Sequence, residues 1–210
     1  MSISIKDLGL IDYQNTWKSM QEFTEQRDIN TPDEFWMLQH NPVFTLGLAG
    51  KAEHILRHDH HIPIVHCDRG GQVTYHGPGQ LIIYTLVDLK RSHLSIREFV
   101  QRLENGIIAY LNSLGINANG DRCAPGVYVN QQKIASLGLK VRKNCTYHGI
   151  SFNINMDTSP FNYINVCGYS GLSVTQLSQL TQEENINCST VAPKVIEYLL
   201  TSLYGKSHNG

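Results

Sequence analysis

An amphipathic run at 96–114, followed directly by a hairpin pattern, limits the folds open to this chain more than any other feature. Ser95 and Glu98 have capping-box spacing. Ile96, Phe99, Leu103, Ile107, Leu111 and Leu114 recur at the helical period, and Gly115 supplies a stop. Val127 to Val129 then reads as a strand, with Asn130-Gln131 at the turn. Residues 133–141 are the return, on which Leu137, Leu139 and Val141 alternate. Helices mixed with strand pairs of this kind suggest an α+β or mixed-sheet α/β architecture and not a strict βαβ repeat.

The flanking sequence adds to the same picture. Residues 2–11 resemble an opening strand, and Tyr13, Trp17, Met20 and Phe23 recur at roughly helical spacing. Residues 34–46 look extended and buried, with Pro42 as an interruption. Short apolar strands are expected at 62–67, 81–89 and 146–156. A last helix over about 190–204 begins behind Ser189 or Thr190, has Pro193 in its first turn and ends at Gly205. The expected class is α/β, with an α+β-like mixed sheet and flanking helices. The chain has 210 residues and no repeat or linker-like tract, so 1–210 reads as one catalytic-size domain.

Composition removes several function classes. Seventeen basic residues against eighteen acidic leave a net charge of -1, which does not indicate broad nucleic-acid binding. No secretory signal and no membrane-length apolar run is evident. The five cysteines, Cys67, Cys123, Cys145, Cys167 and Cys188, are scattered and contain no CxxC. They read as reduced thiols of a cytoplasmic protein, most of them small buried hydrophobes.

Three segments carry candidate chemistry. Arg69 to Gln80 (RGGQVTYHGPGQ) lies between apolar strands and packs four glycines and a proline among Arg, Thr, Tyr, His and Gln. Such a loop bends tightly and lets backbone approach a ligand, but its spacing is not that of a phosphate-binding loop. Lys133 opens a small apolar strand, KIASLG; alone it reads as a snorkelling lysine at a hairpin. Cys167 is followed by Gly168, whose bare backbone permits close substrate approach.

Taken together and in this order, the segments RGGQVTYHGPGQ at 69–80, APGVYV at 124–129, KIASLG at 133–138, HGISFN at 148–153 and CG at 167–168 resemble the lipoyl(octanoyl) transferase family. One departure is Val166, where the family pattern has proline. The resemblance implies a fold like the catalytic domain of biotin- and lipoate-protein ligases. It implies transfer of an octanoyl or lipoyl group from octanoyl-acyl carrier protein to a specific lysine. The acceptors are lipoyl domains of 2-oxoacid dehydrogenase complexes and the glycine-cleavage H protein. Cys167 would carry the acyl group and Lys133 modulate it. Arg69, Gly70, Gly71, Gln72, Val73, Thr74, Tyr75 and His76, with Ser136, Leu137 and Gly138 and with Gly149, Ile150 and Ser151, would line the acyl site. Tyr75 and Leu137 are its expected apolar wall, His76 and Ser151 its polar contacts. No metal and no cofactor is implied.

The chemistry explains the residue types. A thiolate is a better nucleophile than a thiol, and a free cysteine, with a pKa of ~8.5, is mostly protonated near neutrality. An adjacent ammonium would favour the thiolate; a neutral lysine would instead take the thiol proton. The oxyanion of each tetrahedral intermediate needs backbone donors, for which Gly168 or the glycines of 77–79 are candidates. Each buried methylene of the acyl chain contributes roughly 0.8 kcal/mol. Loss of one shifts discrimination by about 1–3 kcal/mol, so selectivity is expected to be graded.

Other classes remain in play at this level. An ATP-dependent lipoate- or biotin-protein ligase would need no nucleophilic cysteine. An amidotransferase between lipoyl-domain proteins would differ in its donor. His54 and His58, at i,i+4 on a helix over 51–61 with His60, His61 and His66 beyond, would suit a metal, although a polar histidine-rich surface helix is the simpler reading. A pure docking module would use a basic patch drawn from Arg57, Arg69, Arg91, Arg97, Lys140, Arg142 and Lys143.

Overall fold

A computed structural model describes residues 3–57, 61–121 and 124–205. His58, His60 and Cys123 lie outside the described residues. Among the described residues the strands are β1 (Ile3–Ile11), β2 (Asp33–His40), β3 (Val43–Leu46), β4 (Ile64–His66), β5 (Val73–His76), β6 (Gln80–Leu86), β7 (Asn119–Gly120), β8 (Gly126–Val129), β9 (Gln132–Arg142) and β10 (Cys145–Asn153). The α-helices are α1 (Tyr13–Gln26), α2 (Ile96–Ser113) and α3 (Cys188–Tyr204).

The strands form two sheets. The larger runs β1-β2-β6-β10-β9-β8-β7 and the smaller β4-β3-β5. β1 lies parallel to β2 and β4 parallel to β3, while the other neighbours are antiparallel. The class is therefore mixed α/β, as the sequence pattern suggests. α2 and α3 cover one face of the large sheet, over a core that includes Phe35, Ile83, Phe99, Ile107, Phe152 and Val195. α1 covers the other face through Met20, with Trp36, Leu38, Tyr84 and Tyr147 beneath it.

Local chemistry accounts for the elements. Asp12 caps α1, accepting from Asn15 N at 2.9 Å. Ser95 and Glu98 form the reciprocal capping box of α2. α3 starts earlier than its sequence suggests, because Asn187 caps it and pairs with Thr190 in a second capping box. Asn130 and Gln131 both take positive φ, 48° and 66°, which matches the twist of a two-residue hairpin.

Two sequence expectations change. The stretch 34–46 is not one strand. Its break at Asn41-Pro42 passes the chain from the large sheet to the small one, since proline brings no N–H to a ladder. The stretch 69–80 is not wholly loop either. Val73–His76 within it pairs with β3, placing Thr74 against Thr45 and His76 against Val43. Among the described residues no helix is long and apolar enough to cross a membrane.

Candidate active site

The Cys167 loop rests on the small sheet. Val166, Ile164 and Phe161 are buried against Phe44, Leu46, Val73 and Tyr75. Cys167 itself has φ 55°, ψ 19° and Gly168 φ 82°, two successive left-handed residues. A non-glycine residue held in that region is strained, and such strain persists only where the surroundings impose it. They do so here. Asn165 N donates to His54 O at 2.8 Å, Leu56 N to Tyr163 O at 2.8 Å, and Gly168 N closes the turn on Asn165 O at 2.8 Å. Burial of Val166 holds the loop without the proline of the family pattern.

That arrangement also places the histidine-rich segment. Ala52–His54 is a single 3-10 turn with extended backbone at Ile55, so no helix runs on from His54, and His58, its i,i+4 partner in the sequence, lies outside the described residues. The turn braces the cysteine loop instead.

Lys133 reaches Cys167 from β9. Its Nζ stands 3.1 Å from Cys167 Sγ and donates to Pro125 O at 3.1 Å. Only 1% of the residue is exposed. The Tyr128 ring lies 5.2 Å from Nζ, within cation–π range. The backbone is clamped by Lys133 N to Ser173 O and Thr175 N to Lys133 O, both 3.0 Å. A register shift in the β8–β9 ladder falls beside it, between Val127 and Tyr128. Burial pulls the Lys133 ammonium down, but the Cys167 sulfur and the Tyr128 hydroxyl pull the other way, and the net shift is upward.

Gly126 makes this placement possible. A Cβ there would stand 2.6 Å from Lys133 Cε and 2.7 Å from Ala135 O, and its φ is +149°. Glu104 of α2 fixes it, accepting from Gly126 N at 2.7 Å. Sequence reasoning assigned no role to Gly126, Glu104 or Tyr128; the APGVYV motif was the available signal for the first and last.

The pair opens on a cavity of about 360 Å³. Thirteen of the fourteen acyl-site residues expected from sequence line it, together with Lys133 and Cys167: Arg69 to Thr74, His76, Ser136 to Gly138 and Gly149 to Ser151. Tyr75 does not. Strand alternation turns its ring into the second core, 5.5 Å from both the Phe44 and Phe161 rings. Leu137, the other residue expected in the apolar wall, does line the cavity, together with Val73, Ile150, Ile82 and Val100 among others. Paired Gly138 and Gly149 keep the floor open, and the 69–72 loop is pinned over it by Gly70 N to Leu139 O at 2.9 Å.

Arg69 builds that loop and makes no ion pair among the described residues. Its guanidinium donates to Thr45 O and Oγ1, Gly70 O and Gln72 O. The oxyanion candidates change as well. The Gly168 amide is engaged by Asn165 O, the Gly79 amide by Gln39 Oε1 at 2.7 Å, and residues 77–79 do not line the cavity.

Sequence reasoning also missed the inner end of the cavity. His148 Nε2–H donates to Asp68 Oδ1 at 3.0 Å, and Asp68 further accepts from Trp17 Nε1, Gln21 Nε2 and the Tyr147 hydroxyl. Burial raises the Asp68 carboxyl, but these donors outweigh it and hold it well below the usual carboxylate range. Burial keeps His148 neutral against the pull of Asp68.

Comparison with known proteins identifies the family and the fold. The family model described as the lipoyl protein ligase A/B catalytic domain matches residues 12–200. An octanoyltransferase of Laribacter hongkongensis is 52% identical, covering 97% of both chains. One of Chromobacterium violaceum is 53% identical over 93% of each. Among solved structures, a bi-partite lipoate protein ligase of Thermoplasma acidophilum has a TM-score of 0.76 at 15% identity, covering 97% of this chain and 84% of that one. The biotin protein ligase of Aquifex aeolicus with biotin and ATP scores 0.60 at 13%, covering 97% and 71%. With half its residues shared along nearly its whole length, the chain is an acyltransferase belonging to the octanoyltransferases of the lipoyl protein ligase A/B catalytic-domain family.

Proposed function

We propose that the protein moves an octanoyl group from octanoyl-acyl carrier protein to a lysine of lipoyl-domain proteins through an octanoyl thioester on Cys167. The observation that carries this reading is the 3.1 Å contact between Lys133 Nζ and Cys167 Sγ at the edge of a mostly apolar cavity. The upward shift of Lys133 supports the ammonium form, with Nζ as the donor towards Cys167 Sγ.

The cycle has two stages. Cys167 attacks the donor carbonyl, a new C–S bond forms, and the old one breaks. The leaving carrier thiolate takes a proton from Lys133. The carrier protein departs, leaving octanoyl-Cys167 with its chain in the cavity. Lys133, now neutral, accepts a proton from the attacking acceptor amine, the amide forms, and Cys167 leaves as thiolate beside a restored ammonium. The donor arrives as a thioester, so no nucleotide is needed for activation. Acceptors are the lipoyl domains of 2-oxoacid dehydrogenase complexes and the glycine-cleavage H protein.

The test is intact-protein mass spectrometry after incubation with octanoyl-acyl carrier protein and no ATP. Wild type gains one octanoyl mass, removable by hydroxylamine, and Cys167→Ala gains none. Transfer that appears only with free octanoate and ATP would assign the chain ligase chemistry instead.

A further inference from the structure

The inner end of the cavity is built unlike the rest of it. Lys133 stands at the start of β9, and His148 pairs with Leu139, six residues along the same strand. His148 has φ 61°, a left-handed turn inside β10 that lays its ring beside that of Tyr147, 5.2 Å away. Because Nε2–H donates to Asp68, Nδ1 is left as an acceptor. It is buried and has no hydrogen-bond partner among the described residues, and the same is true of Thr74 Oγ1. Both residues line the cavity, as do Tyr13, His76 and Tyr84. The rings interlock: Tyr13 stacks on His76 at 6.0 Å and Tyr84 meets His148 edge-on at 5.9 Å.

A slot made only to solvate hydrocarbon has no use for two orphaned polar atoms. Each is stable only when something polar reaches it, and a cavity edge with an acceptor and a hydroxyl suits bound water. We infer that His148 and Thr74 form a polar stop that holds ordered water at the inner end of the cavity and so sets the longest acyl chain accepted. The inference rests on the reading that the cavity takes the chain of a Cys167 thioester. Asp68 is a positioning residue, fixing the tautomer and the ring from behind.

The physical consequence is an asymmetry. Shortening the chain loses methylene contacts one at a time and weakens binding gradually. Lengthening it past the stop expels the water and leaves Nδ1 and Oγ1 unpaired against hydrocarbon. The penalty for a buried polar atom without a partner exceeds what a methylene gains, so acceptance falls in one step.

The experiment measures initial rates of acyl-enzyme formation by intact mass, with acyl carrier proteins bearing even chains from six to fourteen carbons. Wild type is compared with Thr74→Val, which removes the hydroxyl at constant shape, and His148→Asn, whose side chain tolerates positive φ. The expected wild-type profile declines gently below eight carbons and drops about tenfold or more at one two-carbon step above eight. In both variants the ratio of rates across that step rises about threefold or more towards the longer chain. A smooth wild-type decline overturns the stop without touching the thioester reading, as does an unchanged ratio in both folded variants. Absence of any adduct at every chain length removes the thioester reading and the stop with it.

Discussion

At the residue scale the site depends on one glycine as much as on its ionisable pair. Gly126 leaves the space that Lys133 Cε occupies, and a methyl group there would also press on Ala135 O. Gly126→Ala is therefore expected to displace Lys133 Nζ from Cys167 without changing the identity of either side chain. Misplacement of about 1 Å can cost about 100-fold in rate, and single-turnover acylation of Cys167 should fall by that order. A variant that acylates within a factor of about two of wild type would show that Lys133 placement is not limiting. The pair itself was legible in sequence only through resemblance. Read alone, Lys133 was a hairpin lysine and Cys167 one thiol among five. Their meeting depends on the clamp by Ser173 and Thr175, the strained turn at 167–168 and the bracing from His54 and Tyr163. None of these has a spacing signature. Tyr75 shows the converse: its motif was legible, but the side on which its ring falls was decided by four-residue β5 and its partner β3.

At the element scale, what repeats locally was readable and what depends on sheet partition was not. α2 followed from its capping box and period, and the β8–β9 hairpin from its turn. The passage from β2 to β3 between sheets has no local mark beyond Pro42, and β5 is hidden in glycine-rich sequence because its burial comes from β3 and the cysteine loop. Helix pairing gives a sharper case. Gly106, in the middle of α2, looks like a helix weakness, worth up to about 1 kcal/mol against alanine. The structure reverses the sign. A Cβ there would stand 2.8 Å from Leu199 Cδ2 and 3.0 Å from Leu199 Cα of α3. Overpacking of this kind typically costs about 1–3 kcal/mol, which exceeds the propensity gain. Gly106→Ala should lower the thermal midpoint of unfolding; a rise would mean that α3 yields without cost.

Over the whole molecule the buried histidines couple folding to pH. His40 donates from Nδ1 to Ile11 O and accepts from the Tyr84 hydroxyl, while His76 donates from Nδ1 to Gln80 Oε1. Each bond network assumes a neutral ring. Burial, above all, depresses both, His40 to about 4 and His76 to about 3. In the unfolded chain both titrate near the ordinary value of about 6.5. Between those limits the unfolded state binds more protons than the native one, so stability is fully present above about 6.5 and is lost as pH falls towards the depressed values. With two such rings, stability should drop by roughly 2–3 kcal/mol per pH unit near pH 5. His148 and Asp68, both shifted downward, add in the same direction. Urea unfolding at pH 7, 6 and 5 measures the slope, and a flat profile would mean that His40 and His76 bind protons without unfolding. His76 and His148 line the cavity and His40 lies 6.0 Å from the His76 ring. Acid loss of structure should therefore begin at the inner end of the cavity, while the Lys133–Cys167 end, held by an ammonium that titrates only at alkaline pH, keeps its contact.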